Sequence, residues 1–390
     1  MDQLSKQIHN IVKTISVVGV TFLVGCSSIE YRSDAPKRTP LQPLADASVF
    51  AKKDWTTSVG NGVGHENVKL LLANEGDLLF AADAKGLVVA IDRLTGKKIW
   101  QQHLKIAISS GPAIGNKLVL VGGNAEVVAL DSATGDVLWQ TVMTSEVLAA
   151  PKIKEEIVLV STLDGALVAL SAKDGHQLWR FVLSPPSLVL RRSSMPVITK
   201  NHIIAGFASG KLVVINKLDG AVDWSADVSS PQGRSDIQRM IDISADPVLQ
   251  DEVIYVVNYQ GNLKAFALYT GQVIWEREVS SYSGIFVDNK NVYVSATNGD
   301  VLAFDRHTGG SAWVQTALHG RDLSKPVMQG KFIVVCDDEG YIHWLDKKQG
   351  QLKGRYKFTG KGGIEATPVV YSDTLYVYGR NGQVGEISTW

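Results

Sequence analysis

Seven times along the chain a short phrase returns at a nearly fixed interval, and that interval restricts the fold more than any single residue does. The clearest copies are DRLTGKKIW (residues 92–100), DSATGDVLW (131–139), SAKDGHQLW (171–179) and NKLDGAVDW (216–224). They continue as ALYTGQVIW (267–275), DRHTGGSAW (305–313) and a degenerate DKKQGQLKG (346–354). Between the copies lie apolar, β-branched runs such as LVLVGG, EIVLVST, VIYVVN and FIVVCD, each about one strand long. A unit of about 40 residues, built of strands and ended by a tryptophan, is the pattern of a β-propeller blade.

A second marker keeps the same beat. Two-residue turns precede the tryptophans by about 14 residues: Lys85-Gly86, Asp164-Gly165, Ser209-Gly210, Gln260-Gly261, Asn298-Gly299, Glu339-Gly340 and Asn381-Gly382. Asn124-Ala125 is the one departure from glycine. Such turns hold a residue at positive φ, which glycine adopts without steric cost. This register counts eight units. A sandwich with hairpins every 8–12 residues or so would give no reason for a fixed longer beat.

The phrase has a physical logic. The third strand closes on a small-then-large apolar pair, as in Ala90-Ile91, Ala129-Leu130, Ala169-Leu170 and Ala303-Phe304. The Asp, Asn or Ser that follows accepts backbone N–H bonds in the turn, and the Gly supplies the left-handed residue. The Trp then falls on the outer strand, where its ring covers the neighbouring blade; burying one indole contributes about 2–3 kcal/mol. These tryptophans are structural and do not form an aromatic binding cage.

The eighth unit, TPVVYSDTLYVYGRNGQVGEISTW, reaches Trp390 after about three strands, while KDWTTSVG (53–60) carries a tryptophan with no strands of its own before it. An N-terminal strand that completes the last blade closes the ring and removes its exposed edges. The expectation is an all-β chain, an eight-bladed β-propeller of four-stranded blades over residues 53–390, closed by that strand.

Residues 1–25 read as a targeting segment. Lys6 and Lys13 precede an apolar run over residues 15–24, far short of the roughly 20 residues needed to span a bilayer. The run ends in Leu23-Val24-Gly25-Cys26, which resembles the lipobox of bacterial lipoproteins and implies that Cys26 becomes an acylated N-terminus. Ser27, where inner-membrane lipoproteins of enterobacterial type carry Asp, implies the outer membrane. Residues 26–52, rich in Pro, Ser and charge, read as a lipidated tether.

Lys plus Arg equals Asp plus Glu at 39 each, so no net field argues for nucleic acid or for adsorption to a membrane surface. With Cys26 acylated, Cys336 has no partner for a disulfide and is expected as a buried small hydrophobe. No histidine lies at a metal-ligand spacing with another His or Cys, and G-x-S-x-G, H-E-x-x-H and phosphate-binding glycine loops are missing. Asp92, Asp131, Asp305 and Asp346 belong to turns, and Asp337-Asp338-Glu339 reads as a solvated turn. No catalytic, cofactor-binding or metal-binding residue is assigned.

The A-x-D-x-x-T-G-x-x-x-W phrase resembles the docking motif of pyrroloquinoline-quinone dehydrogenases, which are also eight-bladed. Those enzymes have much longer chains with large insertions, and many carry a disulfide of adjacent cysteines near the cofactor. This chain has about 365 residues beyond the leader and no adjacent cysteines. The resemblance implies a shared scaffold, and fold alone does not carry function.

Irregularity in the repeat is then the best functional clue. From Trp100 through Trp139, Trp179, Trp224 and Trp275 to Trp313 the separations are 39, 40, 45, 51 and 38 residues, and the glycine turns show the same excess. The extra residues fall between an outer strand and the next inner strand, twice in succession, so they emerge on one face from adjacent blades. The segments are FVLSPPSLVLRRSSMP (181–196) and SADVSSPQGRSDIQRMIDISADP (225–247). Leu188, Val189 and Leu190 beside Arg191 and Arg192, with Arg234, Asp236, Arg239, Met240, Ile241 and Asp242 in the second, have the composition of an interface. The bland alternative is that Leu188 and Leu190 tuck under the loop as a satellite core.

The lipobox, the eight repeats and the SLVLRR and DIQRMIDISADP insertions together resemble the BamB family, lipoproteins of the outer-membrane β-barrel assembly (Bam) complex. The resemblance implies a non-enzymatic scaffold without cofactor that assists folding and insertion of outer-membrane proteins and faces the periplasm from a lipid anchor. It further implies that Leu188, Leu190 and Arg191, with Arg239 and Asp242, bind the periplasmic POTRA region of BamA and reach the rest of the complex through it. Ser244 stands where the family carries a second Asp. Nascent outer-membrane proteins are further candidate partners. A quinone-dependent periplasmic dehydrogenase and a propeller binding a small ligand in its central channel stand as the alternatives.

Overall fold

The computed structural model describes residues 37–390 except residues 65, 67 and 361; the leader and Cys26 lie outside the described residues. Among the described residues all regular structure is β-strand, in eight small sheets that form an eight-bladed propeller. Blade 1 sets the pattern with Ala73–Glu75 innermost, then Leu78–Ala82, Leu87–Asp92 and Lys98–His103 outermost, each antiparallel to the next. The two middle strands are buried on both faces and so are nearly continuous apolar runs, while the outer strand alternates and is half in water. Blades 2 to 7 follow over residues 108–142, 152–182, 197–227, 248–278, 285–315 and 327–357. A short extra strand, Lys69–Leu70, runs parallel on the inner edge of blade 2.

Blade 8 combines residues 369–389 with Ala51–Ser58, which pairs antiparallel with Gln383–Thr389 from Ala51↔Thr389 to Ser58↔Gln383. Closure by the N-terminal strand is therefore as the sequence indicates, with the strand starting two residues earlier than expected.

The repeated phrase is an inter-blade lock. Five of the repeat tryptophans pair across their own sheet with an alanine, Ala90↔Trp100, Ala129↔Trp139, Ala169↔Trp179, Ala265↔Trp275 and Ala303↔Trp313, whereas Trp224 faces Val214. The indole reaches into the next blade and donates to a backbone carbonyl: Trp100 to Ser132 at 2.9 Å, Trp139 to Ala172 at 3.0 Å, Trp179 to Lys217 at 3.0 Å, Trp275 to Arg306 at 2.8 Å. Its ring lies under the turn glycine of that blade, so a Cβ at Gly135 would stand 2.6 Å from the Trp100 ring. Trp55 of the closing strand makes the same contact with Arg93 O and Gly96 of blade 1, which joins the last blade to the first.

Blade 7 inverts the rule for a geometric reason. Its next neighbour, blade 8, has no third-to-fourth-strand turn, because its fourth strand comes from residues 51–58 and at that corner Phe50 stacks on Trp390 with centroids 6.3 Å apart. A tryptophan there would have no turn to dock on. The pair becomes Trp344↔Gly354, with Trp344 fully buried and Val49 filling the space over Gly354.

Val49 arrives by a route that corrects the tether reading. Arg38 bonds to Asp338, Glu339 and the Gly320 carbonyl, Thr39 N–H donates to His319 O at 2.9 Å, Leu41 packs on the cluster around Trp313, and Arg355 holds Gln42 O at 3.0 Å. Ser48 and Val49 then bond to Lys353 O. Residues 38–49 thus form a strap along the outer edge of blade 7, within the same compact unit as the propeller.

Two turn readings also change. Asp337 is not solvated: it is fully buried and accepts from Arg321 at 3.0 Å with His343 Nε2 at 2.9 Å. At Gln260-Gly261 the left-handed residue is Gln260 (φ 51°), not the glycine. Ala125, the one non-glycine of its set, does adopt φ 106°. Cys336 is buried and unpaired in the core of blade 7, and burial pushes its thiol well up.

Candidate functional site

The two long connections run from the outer strand of blade 3 (Gln177–Val182) to the inner strand of blade 4 (Val197–Ile198), and from the outer strand of blade 4 (Val222–Asp227) to the inner strand of blade 5 (Val248–Gln250). Both ends of each are pinned to the body. Leu183 N–H donates to Gly165 O at 3.0 Å, and Val228 N–H to Gly210 O at 2.9 Å. Ile241 and Ile243 are buried, the first against Gly210 and the second against Gly206. Between these pins residues 230–239 stand in solvent, closed on themselves by Gln238, whose Oε1 accepts from Arg234 N at 2.9 Å.

The connections are tied to each other through buried carboxylates. Leu190 N–H donates to Asp242 Oδ2 at 3.2 Å, and Met195 N–H donates to Asp246 Oδ1 at 2.9 Å. Asp242 is 1% exposed and its Oδ1 has no hydrogen-bond partner among the described residues. Burial pushes this carboxyl up to about 6, against the opposing pull of the Leu190 N–H. Its position says that Asp242 shapes the first segment from below and does not face a partner. Ser244 is equally buried, its Oγ also without a partner among the described residues.

At the tip of the first segment Leu188 is 39% exposed, while Val189 and Leu190 are half-buried. Val189 lines a small cavity between blades 3 and 4 together with Leu183, Phe207 and Asp242. The satellite-core reading therefore fits Val189 best, and Leu188 is the residue left facing water. Arg191 takes φ 49°, a left-handed conformation that costs a non-glycine residue on the order of 1–2 kcal/mol. The reversal sends consecutive arginines apart. Arg191 makes a forked pair with Glu146 of the preceding connection, at 2.8 and 3.2 Å, while Arg192 lies over the Tyr282 ring at 5.0 Å.

Arg239 is brought to the exposed hump, where it pairs with Asp236, and it makes no bond to the first segment. Ile237 beside it is 64% exposed and was not among the residues singled out from sequence; a lone apolar side chain inside the polar run RSDIQR was the available signal. Glu146 was missed as well, since nothing in the sequence connects it to Arg191. The face so built presents Leu188, Ile237, Arg191 and Arg239 on a braced pair of loops, an arrangement suited to protein contact. Among the described residues no group of three or more His, Cys, Asp or Glu could hold a metal ion.

A family model described as outer membrane protein assembly factor BamB matches residues 84–315. The outer membrane protein assembly factor BamB of Pseudomonas aeruginosa is 40% identical over 365 residues, covering 93% of this chain and 94% of that protein. The crystal structure of BamB from Moraxella catarrhalis superposes with a TM-score of 0.80 at 26% identity, covering 87% of this chain and all of that one. A quinohemoprotein alcohol dehydrogenase from Comamonas testosteroni shares the fold, with a TM-score of 0.71 at 13% identity over 86% of this chain and 76% of its own.

Proposed function

The chain belongs to the BamB family of outer membrane protein assembly factors, and we propose that it is a non-enzymatic scaffold lipoprotein of the Bam complex. In this reading Cys26 carries the lipid, the propeller hangs in the periplasm from the outer membrane, and the insertion face binds the POTRA region of BamA. Leu188 is the apolar anchor, Leu190 sets its direction, and Arg191 and Arg239 meet carboxylates or carbonyls at the rim. Asp242 serves from beneath, as the acceptor that fixes Leu190.

The observation that carries the reading is the bracing of two adjacent insertions by Asp242 and Asp246, which holds an exposed leucine and a strained arginine in place before any partner arrives. Pre-organised loops lose less freedom on binding, so a modest surface can support specific association. Catalysis has no comparable support. The pyrroloquinoline-quinone dehydrogenases have a similar scaffold, but here Asp242 and Asp246 hold loop backbone, and Asp337 is closed in contacts with Arg321 and His343.

The test is extraction of the native protein in mild detergent followed by identification of what co-purifies, with and without Leu188→Ala and Arg191→Glu. Recovery of BamA with the wild type and its loss from the folded double variant is the expected outcome. Equal recovery from both would place the contact elsewhere on the ring. Reduction of a dye after addition of quinone and calcium would favour an enzyme instead.

A further inference from the structure

The ring encloses a channel, and near the insertion face it holds a cavity of about 50 Å³, room for a few waters or one small ion. Five cations line it, among them Lys69 from the short strand on blade 2, Arg192 from the first insertion and Lys325 just before the inner strand of blade 7. The other charges on this wall are largely closed among themselves. Arg380 pairs with Glu365 at 2.6 Å, and Arg191 with Glu146. Asp322 accepts from the Tyr282 hydroxyl at 2.6 Å. Asp246 accepts from Met195 N–H and from Lys325 Nζ, the latter at 3.5 Å.

Two cations remain without an anionic partner at bonding distance among the described residues. Arg192 has only the Tyr282 ring, and Lys69 has no ion pair. Setting Lys69, Arg192 and Lys325 against Asp246 and Asp322 leaves one positive charge in a confined space. Burial lowers the Lys69 pKa, with Asp246 opposing and the neighbouring Lys325 and Arg192 adding to the effect. Both residues are half-buried, so water meets their charges only in part and an anion between them would offset the mutual repulsion.

We infer that the channel mouth is a binding site for a small oxyanion, best matched by a single carboxylate, held between the Lys69 ammonium and the Arg192 guanidinium. The guanidinium offers a planar fork of donors that fits a carboxylate, and the Tyr282 ring orients it. Because Arg192 follows Arg191, occupancy draws the base of the first insertion against the channel. The inference does not depend on what the insertions bind.

The test is calorimetric titration of the full-length protein in detergent with sodium acetate at fixed ionic strength. Saturable uptake of one equivalent is expected, weakened about tenfold or more by Lys69→Met and by Arg192→Met, and unchanged by Lys98→Met on the outer strand of blade 1. Without added anion each Met variant should melt no lower than the wild type, since an uncompensated charge has gone. A lower melting temperature would mean that these cations stabilise the empty ring, and would contradict the inference. A second arm uses a short peptide with a free carboxy terminus and its amidated twin: tighter binding of the free acid than of acetate assigns a chain-borne carboxylate, and equal binding a free ion. No uptake of acetate or of the free-acid peptide by the wild type, or uptake unaltered in both Met variants, would overturn the site.

Discussion

The backbone N–H of Leu190 is held by the carboxylate of Asp242, 52 residues further along the chain and almost wholly buried. One bond thus couples two loops that leave the ring from neighbouring blades. It also places an acid where water cannot solvate it, which gives the insertion face a pH signature.

The folded-state pKa of Asp242, about 6, lies above the value near 3.9 expected in the unfolded chain, so the folded state takes up the proton first. Above about pH 6 the buried ionised carboxylate costs stability on the order of 3 kcal/mol, and this cost fades as pH falls towards 4. Asp242→Asn keeps an acceptor for Leu190 and removes the titration. The melting temperature of the wild type minus that of the variant should therefore rise as pH falls from about 7.5 to about 5. Parallel profiles would contradict the assignment.

The tryptophan lock separates two glycines with similar backbone. Gly135 (φ 78°) lies over the Trp100 ring, while Gly64 (φ 60°) has nothing within 4 Å of the point where a Cβ would stand. Gly64→Ala should cost about 1 kcal/mol, the backbone penalty alone, and Gly135→Ala about 2–4 kcal/mol, because the indole must also shift. Chemical denaturation of both variants reads the difference. Equal losses would mean that the ring is not packed as described.

The strap on blade 7 makes a prediction opposite to that for a free tether. Deleting residues 38–49 removes Arg38 from Asp338 and Glu339 and uncovers Gly354, so the melting temperature should fall by several degrees or more. Val49→Ala alone should cost about 1 kcal/mol through lost packing. An unchanged melting temperature in the deletion would return residues 38–49 to the role of a spacer.

The fold was legible because a propeller writes its blade into the sequence many times, so the turn glycine, the small residue beneath the indole and the tryptophan recur together. The inversion at Trp344 and Gly354 was not legible, since its cause is the meeting of Phe50 and Trp390 at the seam, more than 300 residues apart in sequence. At the insertions, composition and position could be read but orientation could not. Asp242 looks like any loop acid until the ring brings Leu190 to it, and Arg191 gives no sign of its left-handed turn towards Glu146, whereas Ile237 could have been read as the lone apolar residue of a polar run. Local pattern encodes the elements, and the first two facts are tertiary.

The role of the insertion face is tested most sharply by the affinity of the folded full-length protein for the purified POTRA region of BamA. Truncating Leu188 alone should weaken binding by about 1–3 kcal/mol, the usual range for an interface anchor. The combined Leu188→Ala, Leu190→Ala and Arg191→Glu variant should not bind, while Lys97→Ala with Lys98→Ala, exposed where the outer strand of blade 1 begins, should bind as the wild type does. A folded triple variant that binds with undiminished affinity would refute the assignment and reduce the two insertions to variation in loop length.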